Sequence, residues 1–240
     1  MPFMNAARPL ALALSLAAPA ALGAQEADAA YDFYISGIKA GELRLSSELT
    51  GDRYTAATNM AAAGVVGVFA DFYFRGTSSG RLDGNGGVVP QQFVARSKSN
   101  RAERETRIDW RDGTPVEVSV EPPRESSPDP AAQSGTLDPV SALYLLMRDA
   151  PRDTICDKVV EVFDGSRRSR LTLAAPRSQG NELVCDGRFA RIEGEAHSMS
   201  SPDREYPFSL VYRDVGDGNA EMHRIESPTR FGKAVVERRS

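Results

Sequence analysis

Glu42-Leu43-Arg44-Leu45-Ser46-Ser47-Glu48-Leu49 is the stretch on which the fold turns. Leu43, Leu45 and Leu49 fall on one face of an extended chain, and Glu42, Arg44, Ser46 and Glu48 on the other. A period of two, apolar against polar, marks a strand with one face buried and one in water. The same reading recurs outward from it. Val116, Val118 and Val120 alternate with Pro115, Glu117 and Ser119, Leu171 and Leu173 with Arg170 and Thr172, and Phe208, Leu210 and Tyr212 with Ser209 and Arg213. Turn-formers separate these runs: Asp83-Gly84, Asp112-Gly113, Asp164-Gly165, Asp186-Gly187 and Asp217-Gly218. Asp-Gly accepts the positive φ angles of a tight hairpin. Near the start, Tyr31–Ser36 and Glu42–Leu49 are joined by Gly37-Ile38-Lys39-Ala40-Gly41, which predicts another hairpin.

Two segments break the rhythm before a helix appears. Met60–Ala70 is apolar on all sides, with Gly64 and Gly67, and reads as a short buried helix or a mobile apolar loop. Glu121–Thr136 is rich in Pro, Ser and Asp and reads as an exposed, poorly ordered loop. Directly after it, Asp138 is placed to cap a helix, Pro139 suits its first position, and Pro151 stops it. Arg148 suits its C-terminal end. Val140–Arg148 is apolar up to Arg148 apart from Ser141, so the helix is expected to be buried. The predicted fold is mainly β: a curved antiparallel sheet or open barrel wrapped around one apolar helix. Leu143, Leu146 and Met147 share a helical face and Tyr144 projects elsewhere. These four residues either plug the sheet or line an apolar pocket. Filling is the better expectation, because apolar interiors are normally packed. No internal repeat is visible, and either half alone would leave open sheet edges, so residues 25–240 read as a single β-rich domain.

The chain has 240 residues, 41% hydrophobic and 26% charged, with a net charge of -4. That balance argues against a dedicated nucleic-acid binder, which needs a basic surface. Two cysteines and two histidines leave few ligands for zinc or an iron–sulfur cluster. Residues 1–24 read as a secretory signal peptide: Arg8, then the apolar core Leu10–Ala18, then small residues offering cleavage sites up to Ala24. The apolar stretch is short for a membrane anchor, and Pro9 and Pro19 flank it. Gln25 stands where a lipoprotein cysteine would be, so no lipid anchor is expected. Arginine far outnumbers lysine, as in GC-rich bacteria, which makes the expected destination the periplasm. In that oxidising compartment Cys156 and Cys185 are expected to form a disulfide.

The motifs that look chemical are weak. Gly76-Thr-Ser78-Ser-Gly80 matches the nucleophile elbow G-x-S-x-G, but a turn follows it rather than a helix. Glu195-x-His197 and Glu221-x-His223 would hold a metal only if two strands brought them into register. Arg96, Lys98, Arg101, Arg104, Arg107 and Arg111 form a basic run interleaved with Glu103, Glu105 and Asp109. Such a mix suits a solvated face with cross-strand ion pairs, or contact with an anionic lipid or polysaccharide. The turn Asp83–Gly87 lacks the Gly-Lys-Ser/Thr of a phosphate loop. No catalytic residue, metal ligand or cofactor site is assigned from these patterns.

Three segments carry a family resemblance: Tyr31-x-Phe-x-Ile-x-Gly37-x-x-x-Gly41-Glu42, Leu137-Asp-Pro-Val-Ser-Ala-Leu-Tyr-Leu-Leu146 and Val162-Phe-Asp-Gly-x-Arg-Arg168. From about Tyr31 to the C-terminus the chain resembles a family of secreted bacterial proteins, domain of unknown function 3108. The resemblance implies an envelope protein of curved antiparallel architecture and supplies no catalytic residues. The resulting expectation is a non-enzymatic periplasmic envelope protein acting as a scaffold or interaction module, with an envelope protein or lipid as partner. A carrier of an apolar ligand such as a lipid is the alternative, and an envelope-polymer hydrolase comes third.

Overall fold

A computed structural model describes residues 24–64, 67, 72–99, 102–124, 126–194 and 205–239. The expected signal segment, apart from Ala24, and much of Met60–Ala70 lie outside the described residues.

The first half of the chain is a meander of seven antiparallel strands. They are β1 (Gln25–Ile35), β2 (Ile38–Thr50), β3 (Arg53–Ala62), β4 (Tyr73–Leu82), β5 (Val88–Ser99), β6 (Ala102–Arg111) and β7 (Thr114–Glu121). The short helix α1 (Pro139–Met147) follows, then β8 (Ala150–Pro151), β9 (Lys158–Phe163), β10 (Arg167–Leu173), β11 (Arg177–Gln179), β12 (Glu182–Gly194), β13 (Tyr206–Gly216), β14 (Asn219–Thr229) and β15 (Gly232–Arg238). β15 returns to pair with β1, from Tyr31 opposite Arg238 to Ile35 opposite Ala234. One sheet therefore runs from edge strand β7 through β1 and β15 to edge strand β9. Among the described residues these edges do not pair with each other. The segment before α1 contacts both sides: Gly135 N–H donates to Gly113 O (2.8 Å), and Leu137 and β9 exchange two backbone hydrogen bonds (2.8 Å each).

The alternation of leucines is what buries one face. Tyr31, Leu43, Leu45, Tyr54, Phe93 and Ile108 project from the first half into the same core as Val160, Phe163, Leu173, Leu210, Tyr212 and Met222 from the second. Cys156 and Cys185 form a disulfide within this core, their Cα atoms 5.4 Å apart, inside the ordinary range for such a bond.

Three local expectations are corrected. Val116 is 52% exposed and Pro115 is buried. Asp109 pairs with Glu117 but Trp110 pairs with Pro115, so Val116 is an extra, bulged residue and the alternation slips there. Asp186-Gly187 is not a turn but lies inside β12. A Cβ on Gly187 would meet Phe208 at 2.6 Å and Leu173 at 2.9 Å, so close packing rather than turn geometry explains this glycine. The first hairpin turns at Ser36-Gly37, and Ile38 to Gly41 already belong to β2. The loop 121–136 is largely exposed as expected, yet Gln133 and Thr136 are fully buried because the segment spans the two sheet edges.

Candidate functional site

Asp138 begins α1 and is fully buried. Its Oδ1 accepts from the backbone N–H groups of Val140 and Ser141, at 2.9 Å each. Its Oδ2 accepts from the hydroxyls of Ser78 (2.8 Å) and Ser141. With the Ser141 proton so used, Tyr54 is the donor in its 2.6 Å bond to Ser141 Oγ. Burial pushes the Asp138 carboxyl above its ordinary pKa, and the hydrogen bonds from Ser141, Ser78 and Val140 pull against that. Each oxygen of the cluster thus has a partner. The cluster fastens the start of the helix to β3 and β4.

The other end of α1 is fastened too. Arg148 Nη2 donates to Gly86 O (2.6 Å) in the β4–β5 turn, and Tyr212 OH donates to Leu146 O (2.8 Å) from β13. Tyr144 stacks on Tyr54 with ring centroids 4.8 Å apart. Burial raises the pKa of both Tyr54 and Tyr212. Of the four helix residues singled out by spacing, Tyr144, Leu146 and Met147 are buried and Leu143 is half-buried against the core. The helix touches β3, β4 and β5 on one side and β9 and β14 on the other.

A cavity of about 530 Å³ opens beside the N-terminal end of the helix, where Pro139 forms part of its wall. Its floor is Phe93 and Ala95, both buried, and its apolar wall rises through Phe74 to the exposed Phe72. Four cationic residues line it: Lys98 and Arg104 from the ends of β5 and β6, Arg124 after β7, and Arg167 at the start of β10. Among the described residues Asp164 is the carboxylate in the lining. It is engaged locally: Oδ1 accepts from the N–H groups of Ser166 and Arg167 (2.8 Å each), and Oδ2 lies 3.6 Å from Arg167 Nη1. The hairpin tip carrying these residues packs against the other half of the sheet, since a Cβ on Gly165 would meet Thr106 and Val120 at 3.0 Å.

The remaining sequence candidates disperse. Ser78 lies in the middle of β4, 4% exposed, with its hydroxyl on Asp138 and Ser141 rather than on a strand-to-helix turn. Glu221 pairs with Arg238 at 3.0 Å and His223 lies 3.6 Å from Glu237, while Glu195 and His197 lie outside the described residues. Among the described residues no group of three or more His, Cys, Asp or Glu gathers in a metal-holding arrangement. The basic run disperses: Arg96 and Arg107 pair with Glu105 and Asp109, whereas Lys98 and Arg104, nearer the β5–β6 turn, line the cavity. Arg101 lies outside the described residues. Arg124 and Arg167 of the cavity were missed in the sequence. For Arg167 a signal existed in Asp164-Gly165-Ser166-Arg167, a turn whose aspartate orients the residues after it.

A family model described as Protein of unknown function (DUF3108) matches residues 30–180. The chain belongs to this family. In this DUF3108 protein the match takes in the Asp138 end of the helix anchor and the lining of the cavity, while Tyr212 lies beyond it. No curated protein matches it. Among solved structures it is similar to the crystal structure of a beta-barrel-like protein of domain of unknown function DUF1849 from Brucella abortus. The two are 14% identical with a TM-score of 0.45, over 89% of this chain and 95% of that one.

Proposed function

We propose that this DUF3108 protein is a periplasmic, non-enzymatic envelope module whose sheet curls around α1 as around a plug, and which acts through its surface. The observation that carries the reading is the fastening of α1 at both ends, by Asp138, Ser141 and Tyr54 at one and by Arg148 and Tyr212 at the other. A helix tied in this way fills the interior rather than gating it. An internal carrier for a long apolar ligand would need the volume that Tyr144, Leu146 and Met147 occupy. The motif serine supports the non-enzymatic reading, because Ser78 works as a donor to the helix cap. The disulfide and the N-terminal signal pattern support the compartment.

Osmotic-shock fractionation of the native host tests the placement. The mature chain should be released with the periplasmic contents, begin near Gln25, and resist thiol alkylation until reduced. A protein retaining Met1, or one with two free thiols, contradicts it. Complementation of a deletion strain tests the mode of action. Ser78→Ala should restore whatever envelope defect the deletion causes, and a folded Ser78→Ala protein that fails to do so would argue for chemistry at that hydroxyl.

A further inference from the structure

Two cations meet where α1 stops, at the end of the sheet opposite the cavity beside Pro139. Strand alternation puts the β4–β5 turn, the C-terminus of α1 and the start of β9 at that end. Arg148 follows α1. Its side chain passes over the Tyr144 ring, Cζ 5.5 Å from the centroid, and Nη2 donates to Gly86 O (2.6 Å). Neither the ring nor the carbonyl carries a full counter-charge. The Arg148 Nε–H is buried and has no acceptor among the described residues. Lys158 opens β9, which is held there by the bond from Asp157 N–H to Ala174 O (3.1 Å) and by the disulfide at Cys156. Its side chain is half-buried and makes no hydrogen bond or ion pair among the described residues. Burial holds the Lys158 ammonium below the ordinary lysine pKa, and the Arg148 charge pushes it the same way.

The carboxylates around this pair do not compensate it. Asp149 and Asp157 are exposed and form no ion pair with either cation. Asp83, in the turn that Arg148 reaches, is committed to that turn: its Oδ1 accepts from the N–H groups of Asn85 (2.9 Å) and Gly87 (2.7 Å). The cations elsewhere differ. In the cavity beside Pro139, Arg104 donates to Pro122 O, Arg167 faces Asp164, and Lys98 and Arg124 are engaged as well. In a hollow of about 950 Å³ over β12–β15, Arg188 pairs with Glu205 and Lys233 with Glu226. Two like charges, partly stripped of water and left without a counter-ion, cost stability by themselves. Such groups gather at functional sites. A guanidinium fork and an ammonium together match the charge and the oxygens of a phosphate monoester, which is close to dianionic at neutral pH.

We infer that Arg148 and Lys158 form a binding site for a phosphate monoester group, held between guanidinium and ammonium beside the β4–β5 turn. The site goes beyond the plugged-interior reading. It adds a ligand where α1 ends and leaves the interior filled.

The test is equilibrium binding and thermal melting of the full mature, oxidised protein, with inorganic phosphate, acetate, glycerol 3-phosphate and phosphatidic acid vesicles as probes. Phosphate should bind at one site and raise the thermal midpoint. Acetate, with one charge, should bind at least tenfold more weakly. Lys158→Gln should weaken phosphate at least tenfold. Lys158→Glu gives Arg148 the counter-charge it lacks, so it should abolish phosphate binding and melt above the parent when phosphate is absent. Neither variant removes a hydrogen bond of Lys158, so both should fold. In an NMR titration the Lys158 ammonium should deprotonate at lower pH than that of Lys39, which pairs with Asp32 and Glu42, and should shift upward when phosphate is added. Vesicle flotation that is lost in Lys158→Glu assigns the source as a lipid head group. Binding of glycerol 3-phosphate without flotation assigns it as a soluble ester. No phosphate binding at about 10 mM, or binding unchanged in both variants, overturns the inference. So does a Lys158→Gln protein that melts well below the parent with or without phosphate, because Lys158 then serves only the end of α1. Each of these failures leaves the plug account standing, since the anchors of α1 are intact in both variants.

Discussion

At the scale of single residues, Asp138 does most to join sequence to structure. Removing it as Asp138→Ala deletes the helix cap and leaves the Ser78 and Ser141 hydroxyls with only each other's oxygen, 2.8 Å away, to share as an acceptor. The expected loss is about 2–4 kcal/mol in urea unfolding, combining a cap with an unsatisfied buried donor. A loss under about 0.5 kcal/mol would show that water replaces the carboxylate. The raised pKa adds a pH signature. A carboxyl whose folded pKa lies above the unfolded value contributes most below the ordinary carboxylate range, and that contribution falls away as pH rises through the folded value. Asp138→Asn does not titrate, so its stability should improve relative to the parent as pH rises from 4 to 8. A constant difference across that range contradicts the assignment. The cap itself was legible in the sequence because its partners lie within three residues. Ser78 and Tyr54 were not, since they reach the same cluster from 60 and 87 residues away.

At the scale of elements, period-two alternation identified strands where no bulge intervenes, as along Glu42–Leu49 of β2, where Leu43 and Leu45 are each 6% exposed. It failed where one residue is added. Val116 is such a case; a second bulge, at His223, where Val211 pairs with Arg224 and Tyr212 with Met222, falls outside the runs read as alternating. Bulges depend on the neighbouring strand, which the local pattern does not contain. Asp186-Gly187 misled for a related reason, because its glycine answers to packing across strands. Gly187→Ala should therefore destabilise by about 1–3 kcal/mol, the cost of overpacking against Phe208 and Leu173. A thermal midpoint within a degree of the parent would mean that Phe208 moves aside freely.

At the scale of the whole molecule, the return of β15 onto β1 and the gathering of Phe72, Arg104 and Arg167 at one mouth were illegible in the sequence. They depend on topology, and six strands and the helix lie between Phe72 and Arg167 along the chain. The disulfide, by contrast, followed from the expected compartment and the even cysteine count. It closes a loop of 29 positions within the second half of the sheet. Reduction should lower stability by roughly 3–4 kcal/mol in the chain-entropy view, read as a fall in thermal midpoint with dithiothreitol. An unchanged midpoint would show that the core around Cys185 holds without the bond. The account as a whole depends on α1 filling the sheet, and Leu146, 7% exposed beside the Tyr212 anchor, is the side chain that reports on it. The deciding measurement is the urea-unfolding free energy of Leu146→Ala against the parent. The plug account predicts a loss of about 2–5 kcal/mol, the cost of truncating a packed core leucine. A change below about 0.5 kcal/mol would contradict it, because it would mean that the helix borders open space.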